Sequence, residues 1–137
     1  METPVSMMMH KRVWTASTED TIERVDEILI SHQLSSVPVV DPKGVVFGIL
    51  SAPDLMRWHA ARDDPRMKAV RAWEICTFRP LEVRPNAPMR EVAELMVRHK
   101  IHHVLVTEDH LVKGIVSALD FVEQYVLKGA PETSVPG

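Results

Sequence analysis

The residues whose types and spacing suggest a binding site are a serine and an aspartate three positions apart, and this pair occurs twice. One copy is Ser51 with Asp54 and the other is Ser117 with Asp120, and each pair follows a glycine and two aliphatic residues. A serine oxygen at a helix N-terminus accepts a backbone N–H, and an acidic side chain three positions later accepts the backbone N–H of that serine. The pattern therefore predicts two helix starts, each with a carboxylate at its N-terminal end.

The sequence shows no set of residues typical of an enzyme active site. Cys76 and His110 lie far apart in sequence, and a nucleophile, a base and an orienting residue are not recognisable together. A glycine-rich loop that would cradle phosphate groups is also missing from the sequence. We therefore expect this protein to bind a molecule and not to be an enzyme.

The wider sequence around the two pairs predicts an internal repeat with a spacing of about 67 residues. In the first copy, the apolar spacing of residues 22–29 predicts a helix that ends near His32. Residues 37–40 are apolar, as in a buried strand, and a turn at residues 41–44 leads into a second strand. With a short strand before the first helix and a second helix after Ser51, the unit is β-α-β-β-α.

The second copy repeats this order. A strand at residues 81–83 precedes a helix that opens at residues 85–88, and residues 101–106 form the buried strand. The last helix starts after Ser117, so the whole chain is predicted to be an α+β protein. The predicted boundaries are repeat 1 at residues 5–62, a linker at residues 63–69, repeat 2 at residues 70–128 and a disordered tail at residues 129–137.

The charge and composition argue against several classes of partner. The net charge is -3 at pH 7, whereas a nucleic-acid-binding protein needs a basic face. The single cysteine, Cys76, excludes an intramolecular disulfide and fits a reducing compartment. Because the sequence holds no apolar run long enough for a membrane span or a secretory signal, we expect a cytoplasmic protein with no nucleic-acid or membrane partner.

The duplicated motifs together resemble a tandem pair of cystathionine-β-synthase (CBS) domains, often called a Bateman module. The resemblance covers nearly the whole chain. It rests on three pairs of segments. The first pair is residues 7–9 and 74–76, and the second is the buried strands at residues 34–40 and 101–106. The third is the Gly-h-h-Ser-x-x-Asp elements at residues 48–54 and 114–120, where h is a hydrophobic residue and x is any residue. In that family the two repeats pack through their sheets about a pseudo-two-fold axis and leave two clefts, which typically bind adenosine compounds. The resemblance implies this architecture and a ligand of this class.

The resemblance also implies roles for particular residues. Asp54 and Asp120 are expected to bind a ribose, because an ionised carboxylate has two acceptor oxygens for two adjacent hydroxyls. The hydroxyls of Ser51 and Ser117, with the free N–H groups of the first helical turn, would lie near a phosphate. The buried strands would hold the purine between them. The strand residues with this expected role are Val37, Pro38, Val104 and Leu105.

The histidines of the second buried strand make the two predicted sites unequal. His102 and His103 resemble the Ile-His-Arg stretch in the regulatory subunit of the AMP-activated kinase, where cationic side chains meet phosphate. A histidine stands at position 103 in place of the arginine, so phosphate affinity is expected to be weaker and to depend on pH. The corresponding residues of the first repeat are Ser35 and Ser36. Because His99, His102 and His103 straddle a helix end and a strand start, we predict no metal site.

These expectations combine into one functional prediction. The chain is predicted to be a small regulatory sensor of AMP, ADP or ATP, with NAD or S-adenosylmethionine as other compounds that carry the same ribose. It requires no cofactor, forms a homodimer through the apolar faces of the helices after Ser51 and Ser117, and acts in trans on an unknown protein partner. The alternative is a ligand-independent dimerisation or docking module, in which Asp54 and Asp120 only cap helices. A basic linker is a second source of a phosphate contact, and its residues are Arg62, Arg66, Lys68 and Arg71.

Overall fold

A computed structural model of the protein describes residues 3–61, 63 and 70–127. The predicted tail and the predicted linker, apart from its first residue, lie outside the described residues, as do Arg62, Arg66 and Lys68. The described residues form two compact units, and each unit contains one β-sheet with helices. The predicted α+β class is therefore confirmed.

Of the described residues, the first-repeat unit consists of residues 13–61, 63, 70–80 and 109–112. Its helices are α1 (Ile22–Ser31), α2 (Ala52–Ala61) and α3 (Ala72–Ile75), and its strands are β1 (Ala16–Ser17), β2 (Ser36–Val40), β3 (Val46–Ser51) and β4 (Thr77–Phe78). The sheet order is β1-β2-β3-β4, in which β1 is parallel to β2 and the other neighbours are antiparallel. Because β3 runs directly into α2, Ser51 lies at the junction of a strand and a helix, as the sequence predicted.

Of the described residues, the second-repeat unit consists of residues 3–12, 81–108 and 113–127. Its described elements are a 3-10 turn (Val5–Met7), β5 (Glu82–Val83), α4 (Met89–His99), β6 (His103–Glu108), β7 (Leu111–Ser117), α5 (Ala118–Val122) and a π-helical turn (Glu123–Leu127). The sheet order is β5-β6-β7, and β5 is parallel to β6. In this unit too, a strand that ends at the serine runs directly into the helix that carries the aspartate.

Each unit includes a short segment from the other half of the sequence. Residues 3–12 belong to the second-repeat unit, where Val5 is completely buried and donates its backbone N–H to the carbonyl of Ala87 at 2.7 Å. Helix α3 and strand β4 belong to the first-repeat unit, where Ala72 is completely buried. The predicted domain boundaries follow the order of the sequence, whereas the compact units draw segments from both sides of these boundaries.

Helices α1 and α4 bury the apolar faces that their spacing predicted. In α1, Thr21 caps the helix by accepting the backbone N–H of Arg24 at 3.2 Å, and Val25 and Leu29 enter the core of the first-repeat unit. In α4, Val92 enters the core of the second-repeat unit. Within the described part of the chain, no helix is both long and apolar enough to cross a bilayer.

Two elements differ from the sequence-based expectation. Strand β4 was not predicted, because two residues carry no periodic pattern; it forms by pairing with Gly48 and Ile49 of β3. The sequence predicts a single helix after Ser117. Instead α5 ends at Val122 and the chain continues in a π-helical turn.

Candidate functional site

The Ser117–Asp120 pair forms the predicted capping box at the start of α5. The backbone N–H of Ser117 donates to Asp120 Oδ2 at 2.7 Å, and the backbone N–H of Asp120 donates to Ser117 Oγ at 3.2 Å. The cap therefore uses only one of the two carboxylate oxygens. The Asp120 side chain is 13% exposed, so the other oxygen sits in a largely desolvated position close to the surface.

The Ser51–Asp54 pair has the same geometry at the start of α2. The backbone N–H of Ser51 donates to Asp54 Oδ2 at 2.8 Å, and the Ser51 hydroxyl contacts the same oxygen at 2.8 Å. The Asp54 side chain is 10% exposed. Both predicted carboxylates are thus helix caps, and in both the cap is made through Oδ2.

The remaining oxygen, Oδ1, meets a different side chain in each unit. In the second-repeat unit it lies 2.7 Å from His10 Nε2. In the first-repeat unit it accepts a hydrogen bond from the guanidinium of Arg57, one turn along the same helix. The imidazole and the guanidinium are both well exposed, at 64% and 72%, whereas the carboxylates that they contact are not. Each carboxylate is therefore covered on its solvent side by a donor that can move away.

His10 reaches Asp120 because its backbone pairs with β7. The His10 N–H donates to the Ile115 carbonyl at 3.0 Å, and the Ile115 N–H donates back at 3.1 Å. The absence of a side chain at Gly114 permits this approach, since a Cβ atom there would lie 2.8 Å from Met9 Cγ and 3.0 Å from the His10 carbonyl oxygen. The segment that carries His10 is therefore held against the strand that leads into Asp120.

The first-repeat unit contains the same close approach with other side chains. A Cβ atom at Gly48 would lie 2.5 Å from Cys76 Sγ and 2.6 Å from the carbonyl oxygen of Thr77. By the spacing of the repeat, Thr77 stands at the position of His10. A short hydroxyl side chain thus replaces the imidazole, and Arg57 covers the carboxylate of Asp54 instead.

The strand residues expected to hold the purine have no exposed side-chain surface. Val37, Val104 and Leu105 are 0% exposed, and Pro38 is also fully buried. Val37 belongs to the core of the first-repeat unit and Val104 to that of the second-repeat unit. Any contribution of these four positions to binding therefore comes from the shape and backbone of the strands.

His102 and His103 flank the second cap. The Ala118 N–H, at the start of α5, donates to the His102 carbonyl at 2.8 Å. The residue before β6 is thus hydrogen-bonded to the first residue of α5. Burial lowers the pKa of His103 from its ordinary value of 6.5, the neighbouring His102 lowers it further, and the charge of Asp120 opposes the shift. Burial therefore disfavours the positively charged form of His103.

The described residues contain no group of three or more histidine, cysteine, aspartate or glutamate side chains arranged to hold a metal ion. In the first-repeat unit, burial raises the pKa of Cys76 to about 11, and the charge of Asp54 contributes to the same shift. Cys76 is therefore a protonated thiol near the carboxylate. Neither finding adds a catalytic group to the two serine–aspartate pairs.

Two residues of the site, His10 and Arg57, were missed by the sequence analysis. Arg57 lies three positions after Asp54, a spacing at which side chains on a helix meet, so its contact could have been predicted. His10 and Asp120 are 110 positions apart, and their contact depends on the placement of residues 3–12 in the second-repeat unit. No local pattern in the sequence signals that placement.

Comparison with known proteins shows which family has this arrangement. The sequence model of the CBS domain matches residues 5–61 and again residues 72–126. Inosine-5'-monophosphate dehydrogenase from Halobacterium salinarum is 33% identical over 116 residues, which are 83% of this chain and 22% of that protein. The gamma-3 subunit of the 5'-AMP-activated protein kinase from Sus scrofa is 29% identical over 110 residues, which are 76% of this chain and 22% of that protein. The chain thus spans about a fifth of the length of these curated relatives.

A solved structure matches the chain over almost its full length. It is the CBS domain pair of protein MJ0100 in complex with 5'-methylthioadenosine and S-adenosyl-L-methionine. The TM-score is 0.83 and the sequence identity is 27%, and the match covers 94% of this chain and all of that one. Both ligands named for that protein contain an adenosine group.

Proposed function

The chain belongs to the CBS domain family, and from this premise we propose that it is a regulatory module that binds an adenosine-containing compound at Asp54 and Asp120. The proposed ligands are AMP, ADP or ATP, and NAD and S-adenosylmethionine carry the same ribose. CBS domain pairs are typically regulatory modules and not catalytic ones. The similarity to the domain pair of MJ0100, which was solved with two adenosine compounds, supports the proposed class of ligand.

The observation that supports this proposal most directly is the state of the two Oδ1 atoms. In each carboxylate Oδ2 is fixed by the cap, while Oδ1 contacts an exposed side chain, Arg57 or His10. Both donor side chains are exposed, so each can leave Oδ1 and be solvated by water. A hydrogen bond from a ribose hydroxyl to a carboxylate contributes roughly 1.5–3 kcal/mol, so the hydroxyl can replace the side-chain donor.

In this proposal the neighbouring residues have secondary roles. Ser51 and Ser117 hold the carboxylates in place through their backbone N–H groups. His102 and His103 border the ligand of Asp120, and His103 acts as a neutral hydrogen-bonding group. The strand residues Val37, Pro38, Val104 and Leu105 shape the purine position from inside the sheets, since all four are buried.

We further propose that the regulatory output is an action in trans on a protein partner, by a homodimer in the cytoplasm. A ligand changes such a system only through a preference for one arrangement over another. Leu119 and Val126, on α5 and the turn after it, are 71% and 69% exposed, which supports an apolar contact with a second copy of the chain. On α2 only Met56 supports it, at 71% exposed, because Leu55 and Trp58 are buried in their own unit.

Thermal unfolding of the purified protein tests the proposed ligand. AMP, ADP, ATP, NAD and S-adenosylmethionine are compared, and saturation at about one hundred times the dissociation constant should stabilise the folded state by roughly 2.7 kcal/mol. Asp54→Ala and Asp120→Ala then show which carboxylate responds, and Glu94→Ala, an exposed acidic residue on α4, is the control. If none of the five compounds at millimolar concentration shifts the transition, adenosine binding is wrong.

The second candidate function is a docking module that needs no ligand. It is favoured by the observation that both carboxylates already have a complete set of partners within the chain. In that case Asp54 and Asp120 act only as caps, and α5 contacts a protein partner irrespective of nucleotides. Sedimentation of the protein with and without each of the five compounds distinguishes the two candidates, because only the sensor changes its assembly with a ligand.

A further inference from the structure

We infer that the two carboxylates select ligands of different charge: Asp54, with Arg57 beside it, selects nucleosides that carry phosphate, and Asp120, with His10 beside it, does not. This inference rests on the proposed function and adds to it the chemical class of ligand for each site. It makes Arg57 the residue that determines specificity for phosphate.

The first argument is the geometry of Arg57. Its guanidinium contacts Oδ1 of Asp54, the oxygen that a ribose hydroxyl must reach because Oδ2 is taken by the cap. A bound ribose therefore displaces the guanidinium from its counter-charge without removing it from the site, since Arg57 is only one helical turn from Asp54. The side chain is 72% exposed and free to reorient. A phosphate on the same ligand gives the displaced guanidinium a new, bidentate partner.

The second argument is the residue that stands at the equivalent place in the second-repeat unit. Three positions after Asp120 the sequence has Glu123, so the arginine of one unit corresponds to a carboxylate in the other. The side chain displaced from Asp120 by a ribose is the imidazole of His10, which lacks the planar, two-pronged donor geometry of a guanidinium. His103, the other ring close enough to respond to the charge of Asp120, has its pKa lowered by burial. Among the described residues, the donor on Asp120 Oδ1 is thus an imidazole, and the position that holds Arg57 in the first-repeat unit holds a carboxylate in the second.

The test measures the phosphate preference of each site, defined as the dissociation constant of adenosine divided by that of AMP. Isothermal titration calorimetry uses the full chain in two single-site backgrounds, Asp120→Asn to isolate Asp54 and Asp54→Asn to isolate Asp120. A charge-assisted bidentate contact is expected to give a preference of about ten- to a hundredfold at Asp54. At Asp120 the expected preference is about one or lower, because no such contact forms.

Variants of Arg57 in the Asp120→Asn background identify the cause. Arg57→Gln should reduce the preference to about one while adenosine affinity is kept or increased, because a competitor for Oδ1 is removed. Arg57→Lys keeps the charge and should retain part of the preference. The matched control is Arg24→Gln, which removes an exposed arginine of the same unit that is also paired with an acidic residue three positions away, Glu27.

The reciprocal variant is Glu123→Arg in the Asp54→Asn background, which should raise the phosphate preference at Asp120. Equal preferences at the two sites, or a preference that survives Arg57→Gln, would overturn the inference while leaving adenosine binding intact. Failure of both adenosine and AMP to bind the wild-type chain would overturn the proposed function itself. Thermal unfolding of each variant without ligand shows that a lost preference is not a lost fold.

Discussion

His10 Nε2 lies 2.7 Å from Asp120 Oδ1, although the two residues are 110 positions apart in the chain. The contact joins the beginning of the first repeat to the first turn of α5, within a single compact unit. It occupies the oxygen that a ribose hydroxyl would need. His10 is therefore an internal competitor for any ligand of Asp120.

Replacement of this competitor should increase ligand affinity at Asp120. We expect His10→Ala to tighten adenosine binding by about two- to fivefold. In the wild type the ligand must break the His10–Asp120 contact, whereas in the variant there is no such contact to break. Calorimetry in the Asp54→Asn background measures the effect. His99→Ala, which removes an exposed histidine at the end of α4, is the control and should leave the affinity unchanged. Equal affinities for His10→Ala and wild type would show that the imidazole does not compete.

Both aspartates should stabilise the fold in the absence of ligand. Asp54→Ala and Asp120→Ala are each expected to reduce the free energy of unfolding by about 1 kcal/mol, because each leaves the backbone N–H of its serine without a carboxylate partner. Urea denaturation monitored by circular dichroism measures the change. Unaltered stability in both variants would contradict the hydrogen bonds at Ser51 and Ser117.

The two glycines that allow close approach should differ in their tolerance of alanine. Gly48→Ala places Cβ 2.6 Å from the backbone carbonyl of Thr77, so β4 itself must move, and we expect a loss of about 1–3 kcal/mol. Gly114→Ala first meets the flexible side chain of Met9, which can change rotamer, and should cost less. Parallel urea titrations rank the two variants, and the reverse order would be inconsistent with these contacts.

Protonation of His103 should destabilise the protein. The pKa of His103 is lower in the folded state than its ordinary value of 6.5. At pH values between these two pKa values, the unfolded chain therefore binds more protons than the folded protein. The stability that comes from a neutral His103 is fully present above pH 6.5 and is lost as the pH falls below it. His103→Gln should flatten this part of the stability profile, measured by urea denaturation between pH 5 and 7.5 at about half-unit steps. An equally steep decline in the variant would assign the effect to other groups.

The thiol of Cys76 should react slowly in the folded protein. Burial is the main cause of its pKa of about 11, with a smaller contribution from the charge of Asp54, so very little thiolate exists at pH 8. We expect alkylation by iodoacetamide to be on the order of a hundredfold slower in the native state than in urea. A native rate close to the unfolded rate would mean that Cys76 is not held against Gly48.

The parts of the site that depend on local sequence were predictable. Ser51 with Asp54 and Ser117 with Asp120 form caps as expected, because a capping box involves only residues within one helical turn. The apolar faces of the long helices follow from the same kind of short-range spacing. The repeat order and the family likewise needed only the sequence.

Contacts between distant segments were not predictable in the same way. The sequence analysis matched residues 7–9 to residues 74–76, yet nothing in either segment indicates that the residues after it, His10 and Thr77–Phe78, pair with β7 and β3. The position of His10 depends on that pairing, and so does the existence of β4. A two-residue strand has too few side chains to generate a pattern, so only its partner strand determines it.

The placement of residues 3–12 and of α3 with β4 has a consequence for how the protein folds. A fragment that ends after α2 would lack β4, leaving the edge of β3 without a partner, and its first residues would lack the core into which Val5 is buried. Each half of the sequence therefore lacks part of the sheet or core of its own unit when the other half is absent. Native pairing must wait until both halves of the chain have been synthesised, and it joins residues of large sequence separation, which slows folding compared with a chain of two independent domains.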